Sequence, residues 1–155
     1  MYDVTFTRES GRRVAVVCYQ ARAEEIGAKA GEAFGRVAEH LARTGTPVTG
    51  PAVSCYTTGP EVFDVASGFV VEGEVQPGDG VEQCQLPSCD IATTTHVGPY
   101  DELAKAYDAL RAGVLAHGRR LVEDGIMWEE YWSPPGTPPE QTRTVVCWPV
   151  VPQDD

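Results

Sequence analysis

At 155 residues and 42% hydrophobic, the chain can build one core with two similar halves and is too short for two independent catalytic domains. Its 12 Lys and Arg against 23 Asp and Glu give a formal charge of −11, which repels phosphate backbones, weakens counterion release as a driving force and accommodates a cationic partner more easily than a nucleic acid. No run is long and apolar enough for a signal h-region or a membrane span, and five scattered cysteines without a CxxC pair (Cys18, Cys55, Cys84, Cys89, Cys147) argue against a disulfide framework or a zinc site. The expectation is a cytoplasmic protein with reduced thiols, no metal and no cofactor.

In chain order, "YDVTFT" alternates Tyr2, Val4 and Phe6 against Asp3, Thr5 and Thr7, the period of a half-buried strand. "RVAVVCY" follows as a second strand. From Glu24 to Thr44, Ile26, Ala30, Phe34, Val37 and Leu41 recur at helical spacing, and Gly45 offers a stop. "AVSCYT", "SGFVVEG", "VEQCQL" and "DIATTTH" are short strands separated by Gly, Pro and Asp turns. A second helix is predicted from Asp101, as N-cap, to Glu123, with Leu103, Tyr107, Leu110, Val114 and Leu121 as its stripe and Gly125 as its stop. "WEEYW" and "TRTVVCWPV" close the chain, which makes about eight strands and two helices.

A strand, a helix and two strands occur after Arg12 and again after Asp90, so the chain reads as an internal duplication. A shift of 92 − 15 = 77 sets Ala15 on Ala92, Tyr19 on His96, Glu24 on Asp101 and His40 on His117; past the helices a shift of 131 − 56 = 75 pairs Tyr56 with Tyr131 and Ser54 with Glu129. The fold class is therefore α+β. One domain spans 1–155 and holds two βαββ units, about 12–73 and 90–150, related by a pseudo-twofold axis. Both helices are expected to cover one face of antiparallel sheets, leaving a groove between the repeats on the other face.

The stretches "HVGPYDELAKAYDAL" and "WEEYWSPPGTPPEQTRTVVCWPV" resemble the second half of the GyrI-like small-molecule-binding domains, with their H-x-G-P-Y-x-x-L, W/F-E-x-Y and closing T-x-I/V-x-x-P-V patterns. "RRVAVVCYQARAEEIGAKAGEAFGRVAEHL" is similar to the first repeat, although "YQARAEE" replaces the G-P-Y turn there. The resemblance implies the duplicated βαββ fold, a ligand groove with an acidic residue in it, and kinship with the effector-binding modules of AraC- and MerR-type multidrug-sensing activators. No helix-turn-helix segment precedes Tyr2, so a stand-alone form is expected.

Period-2 geometry puts Glu129 and Tyr131 on one face of "WEEYW" and Trp128, Glu130 and Trp132 on the other. Spacing alone favours an exposed Glu on an edge strand, and Glu130 keeps that reading. Alignment with the family's W-E-x-Y gives Glu129 the position of the acidic groove residue and Tyr131 that of the aromatic beside it. A carboxylate among aromatic rings suits a hydrophobic aromatic or cationic small molecule. Tyr100 reads equally as a groove residue or a staple into the second helix. His96 reads as a ligand contact or a hydrogen-bonded structural histidine, and Trp148 and Tyr56 as groove walls or core. His40 and His117 read as structural.

The expected function is a stand-alone sensing or sequestering protein for such compounds, without nucleic-acid or membrane partners. The alternatives are a hydrolase of reactive cyclopropane-bearing natural products, with Glu129 activating water and Tyr131 donating a hydrogen bond, and a gyrase-inhibitor-like protein-binding module. Both are implied by the resemblance.

Overall fold

The computed structural model describes residues 2–57, 62–123, 126–133 and 136–152. The chain divides into two compact units, one of residues 10–87 and one of residues 1–9 with 88–155.

In the unit of residues 10–87, β2 (Arg13–Ala21) is followed by helix α1 (Ile26–Thr44) and then by β3 (Val48–Thr57), β4 (Phe63–Val71) and β5 (Val81–Gln85). Their order across the sheet is β3-β4-β2-β5, each neighbouring pair antiparallel. Helix α1 buries Ala30, Val37 and Leu41 of the expected stripe together with Ala33 and His40, while Ile26 and Phe34 are only half-buried. That stripe packs on Ala15, Val17, Val71 and Val81, with Tyr19 and Phe69 at its margin. Full burial of a Val or Leu side chain contributes roughly 1.5–3 kcal/mol, so Val37 and Leu41, at 0% and 2% exposure, do much to hold the helix on its sheet. Gly45 closes the helix at φ 74°, a left-handed C-terminal residue.

In the other unit, β1 (Thr5–Glu9) pairs with β6 (Cys89–Val97), which pairs with β9 (Arg143–Pro152), and β9 pairs with β8 (Ile126–Tyr131). Helix α2 (Leu103–Ala116) buries Ala106, Leu110 and Val114. It is shorter than the stripe predicts. Gly118, at φ 72°, turns the chain out of the helix, and Arg119–Leu121 becomes an additional strand, β7, paired with the end of β9. Val114 and Leu121 mimic one helical face because they lie seven residues apart, yet Leu121 is buried from the strand. Gly125, the expected stop, lies outside the described residues. Asp101 is not the N-cap either: it sits within a 3-10 turn, Tyr100–Glu102, and Glu102 takes the cap position without a side-chain bond.

The duplication is visible in local geometry. A 3-10 turn at Ala23–Glu25 introduces α1 as Tyr100–Glu102 introduces α2, and the helices start at Ile26 and Leu103 (103 − 26 = 77). The turn-closing bonds, Glu25 N–H to Arg22 O at 2.9 Å and Glu102 N–H to Pro99 O at 3.1 Å, keep the same offset.

The segment between β4 and β5 is fastened to α1 by His40, only 3% exposed. Its Nδ1 faces Asp79 Oδ2 at 2.9 Å and its Nε2 faces the Gln76 carbonyl at 2.5 Å. Both partners are acceptors, so the ring meets both bonds only as the imidazolium. Arg43 joins Asp79 from the next turn of the helix, and Asp79 itself has φ 57°. The Asp79 bond, then the Gln76 carbonyl, raises the His40 pKa above 6.5. The His40 bond, with Arg43 adding to it, lowers that of Asp79 below 3.8.

The raised histidine contributes stability that is complete below its unfolded pKa and lost as pH rises through the folded one. The depressed carboxylate contributes stability present above its unfolded pKa and lost as pH falls through the folded one. The clasp is therefore strongest from about pH 4 to about pH 6.5. Urea midpoints of the wild type should fall between about pH 5.5 and about pH 8.5 more steeply than those of Asp79→Asn. Parallel profiles would show that the clasp adds nothing to stability.

Candidate functional site

Strand β8 places two adjacent carboxylates on opposite faces of its sheet. Across the β8–β9 ladder Trp128 faces Cys147, Glu129 faces Val146, Glu130 faces Val145 and Tyr131 faces Thr144, and facing residues of an antiparallel pair share a face. Glu129 and Tyr131 thus turn toward α2, with Thr144, Val146 and Trp148 beside them. Trp128, Glu130 and Cys147 turn the other way. This corrects the expectation that the acidic residue lies on the face away from the helices.

Glu129 is only 7% exposed. The hydroxyl of Tyr131 donates to its Oε1 at 2.7 Å, and the hydroxyl of Tyr107, reaching down from α2, donates to Oε2 in a short hydrogen bond. An ionised carboxylate offers only acceptors and is costly to bury unless they are used; two phenols supply donors to both oxygens. Tyr107 meets the Trp148 ring edge-on at 6.0 Å. The Trp148 indole N–H donates to Val122 O at 2.9 Å, and the Arg111 guanidinium lies 5.1 Å from its ring centre.

The site thus unites Glu129, Tyr131 and Trp148 from the sequence reading with Tyr107, which that reading took only as part of an apolar stripe. Tyr107's signal was its hydroxyl: Tyr on a stripe of Leu, Ala and Val carries a polar tip that needs a partner when buried.

The other candidates are positioned by their own elements. His96 is 2% exposed and has both ring nitrogens engaged, Nε2 with Pro99 O at 2.9 Å and Nδ1 with the Tyr2 hydroxyl at 2.8 Å. In the neutral ring Nε2 donates and Nδ1 accepts, which makes His96 a structural tie rather than a free ligand contact. Tyr56 belongs to β3 of the other unit, facing Val65. For Tyr100 the backbone lies in the 3-10 turn, while its side chain lies outside the described residues.

Glu130 is not the exposed residue that spacing favours. It is 6% exposed and accepts the indole N–H of Trp128 and of Trp132, each at 3.1 Å, with the Cys147 thiol donating at 3.7 Å. Thr144, opposite Tyr131, is fully buried, and its hydroxyl has no hydrogen-bond partner among the described residues. No group of three or more His, Cys, Asp or Glu among the described residues is arranged to hold a metal.

Tyr107→Phe and Tyr131→Phe each remove one donor from a buried carboxylate while keeping the ring. Each should cost about 1–3 kcal/mol in urea denaturation, and the double variant should depart from additivity because both bonds end on Glu129. Unchanged midpoints would mean that the phenols do not support the carboxylate.

Residues 2–151 match the family model described as GyrI-like small molecule binding domain. No curated protein sequence matches the chain. The structure is similar to the crystal structure of the EcmrR C-terminal domain, with a TM-score of 0.83 at 17% identity over 98% of this chain and 99% of that one. It is also similar to SAV2435 bound to tetraphenylphosphonium, with a TM-score of 0.67 at 10% identity over 96% and 94%. A crystal structure of a hydrolase from Listeria innocua gives a TM-score of 0.60 at 12% identity over 94% and 91%. At these identities the likenesses concern the fold. The match across residues 2–151 shows that the chain belongs to the GyrI-like small-molecule-binding domain family.

Proposed function

We propose that this protein binds hydrophobic aromatic or cationic small molecules, with Glu129 as counter-charge and Tyr107, Tyr131 and Trp148 as the surrounding aromatic groups, and that it acts as a cytoplasmic sensor or sequestering protein. The observation that carries this is the burial of Glu129 among those rings. A carboxylate set among aromatic rings suits a delocalised organic cation, which meets the carboxylate by charge and the ring faces by cation–π attraction. Thr144 supports the same reading, since a buried hydroxyl without a partner costs roughly 1–3 kcal/mol, which a polar atom of the ligand offsets. SAV2435 is bound to a lipophilic cation of this kind, tetraphenylphosphonium. The net charge of −11 disfavours nucleic acid as a partner, and no helix among the described residues is long and apolar enough to cross a membrane.

Hydrolysis of a strained, cyclopropane-bearing electrophile is the second reading. It is favoured by the Tyr131–Glu129 hydrogen bond, in which an acid group and a base touch, and by the likeness to a protein described as a hydrolase. Each carboxylate oxygen keeps a second lone pair beside its phenol bond, so Glu129 could take a proton from water as the water oxygen bonds to the ring carbon and the strained carbon–carbon bond breaks. Tyr131 would turn its hydrogen bond to the oxygen that gains charge as the ring opens, and Glu129 would return the proton to the opened product.

Glu129→Gln separates these roles from a purely structural one, because glutamine keeps the shape and removes the charge. Truncating one partner of a desolvated charge pair costs roughly 2–5 kcal/mol, and the isosteric change should sit at the lower end, about a ten- to hundredfold weaker dissociation constant for a rhodamine-like cation. A matched neutral dye should bind both proteins alike. Equal losses for the two dyes would mean that Glu129 shapes the site without acting as counter-ion. A ring-opened, water-added product from a cyclopropane alkylator, formed in proportion to protein and lost in Glu129→Gln, would move the assignment to the hydrolase.

A further inference from the structure

The Glu129 site leaves unused a cleft of about 140 Å³ between α2 and β7, lined by Arg111, Val114, Leu115, Arg120, Leu121 and Glu123. Its lining combines features that do not otherwise need each other. Val114 and Leu121 are 0% and 7% exposed and form an apolar floor, and Leu115, although 57% exposed, adds an apolar flank. Arg111 and Arg120 are exposed and take part in no ion pair among the described residues. In a chain with 23 acidic residues for 12 Lys and Arg, two guanidiniums at one apolar cleft without carboxylate partners among the described residues are an unusual concentration of positive charge. Arg111 is held over the Trp148 ring at 5.1 Å, which restricts the guanidinium at one face while its N–H groups remain available.

We propose that this cleft is a second ligand site, for a small aromatic carboxylate whose ring rests on Val114, Leu115 and Leu121 and whose carboxylate bridges Arg111 and Arg120. Size selects a single ring, since an apolar cavity of about 150 Å³ holds benzene. Charge selects an anion: two guanidiniums outweigh the one carboxylate among the described lining residues, Glu123, and each presents a planar fork matched to carboxylate oxygens. A neutral ring would leave both arginines unused, and a cation would be repelled by them. Glu123 is exposed, forms no ion pair with either arginine, and acts as the site's anti-selective charge.

Calorimetric titration of the full chain with benzoate tests this, with benzyl alcohol and benzylamine as ring-matched neutral and cationic probes. Benzoate should bind with a dissociation constant of about a millimolar or tighter, and the other two at least about tenfold more weakly. Arg120→Gln, an exposed change, and Arg111→Gln should each weaken benzoate by about tenfold, whereas Glu123→Gln should tighten it by about threefold. Glu129→Gln should leave benzoate binding unchanged. No heat with benzoate at about ten times that concentration, equal binding of benzyl alcohol, or benzoate binding insensitive to both arginine variants would each overturn the proposal. Loss of benzoate binding in Glu129→Gln would overturn it as well, by placing the probe in the other site.

Discussion

The unit that holds the candidate site depends on one costly arrangement, two consecutive carboxylates buried on opposite faces of a single strand. Glu129 and Glu130 are 7% and 6% exposed. Burying an ionised carboxylate is unfavourable unless its acceptors are satisfied, and the sequence around them meets that demand in two ways. Tyr107 and Tyr131 serve Glu129 with phenol hydroxyls, while Trp128 and Trp132 serve Glu130 with indole N–H groups. Indole nitrogen only donates, so Glu130 is held in a closed arrangement. A phenol both donates and accepts and can rotate its hydroxyl, so the donors on the Glu129 side are able to exchange partners.

That arrangement requires strand register to be firm, and β9 supplies it. Ten residues long, β9 pairs with β6, β8 and β7. A slip of one residue would send Glu129 to the face of Trp128 and bring Glu130 beneath Tyr107, exchanging both sets of partners at once. The early end of α2 belongs to the same design. By stopping at Ala116 the chain gains β7, whose Leu121 is buried and which is followed by Val122, whose carbonyl receives the Trp148 indole. A helix continued to Glu123 would provide no strand partner for residues 150–152 of β9.

Much of this was legible in the sequence. Alternation in "YDVTFT" and short runs bounded by turn residues pointed to eight of the nine strands observed among the described residues, and period 2 in "WEEYW" separated Glu129 and Tyr131 from Glu130. The failures share a physical origin. Whether Glu130 is exposed, whether Tyr107 reaches a carboxylate and whether His40 clasps Asp79 are questions of long-range contact, over 22 positions for Tyr107 and 39 for His40, which periodicity does not encode. The overrun of α2 is different. Gly118 was present inside the apparent stripe, and the seven-residue spacing of Val114 and Leu121 outweighed it, although glycine near a helix end more often marks the stop.

The duplication explains why the carboxylate is confined to one half of the chain. At the position that the 75-residue offset pairs with Glu129, the first repeat has Ser54, fully buried, which bonds Ser67 at 2.7 Å, and Ser67 in turn bonds the Tyr19 hydroxyl at 2.8 Å. The place is the same, on the strand face turned toward that unit's helix, and its chemistry is a relay of neutral hydroxyls. Each group in such a relay can be both donor and acceptor, so the relay needs no counter-charge and is buried at lower desolvation cost than a carboxylate. In the second repeat a carboxylate stands at that place, and its phenol donors come from other positions, Tyr107 on the helix and Tyr131 on its own strand, while the residue that the 77-residue offset pairs with Tyr19 is His96. Each repeat thus buries a polar group under its helix, neutral hydroxyls in one and a carboxylate in the other, and the carboxylate, the costlier of the two to desolvate, is the one that receives a donor on each oxygen.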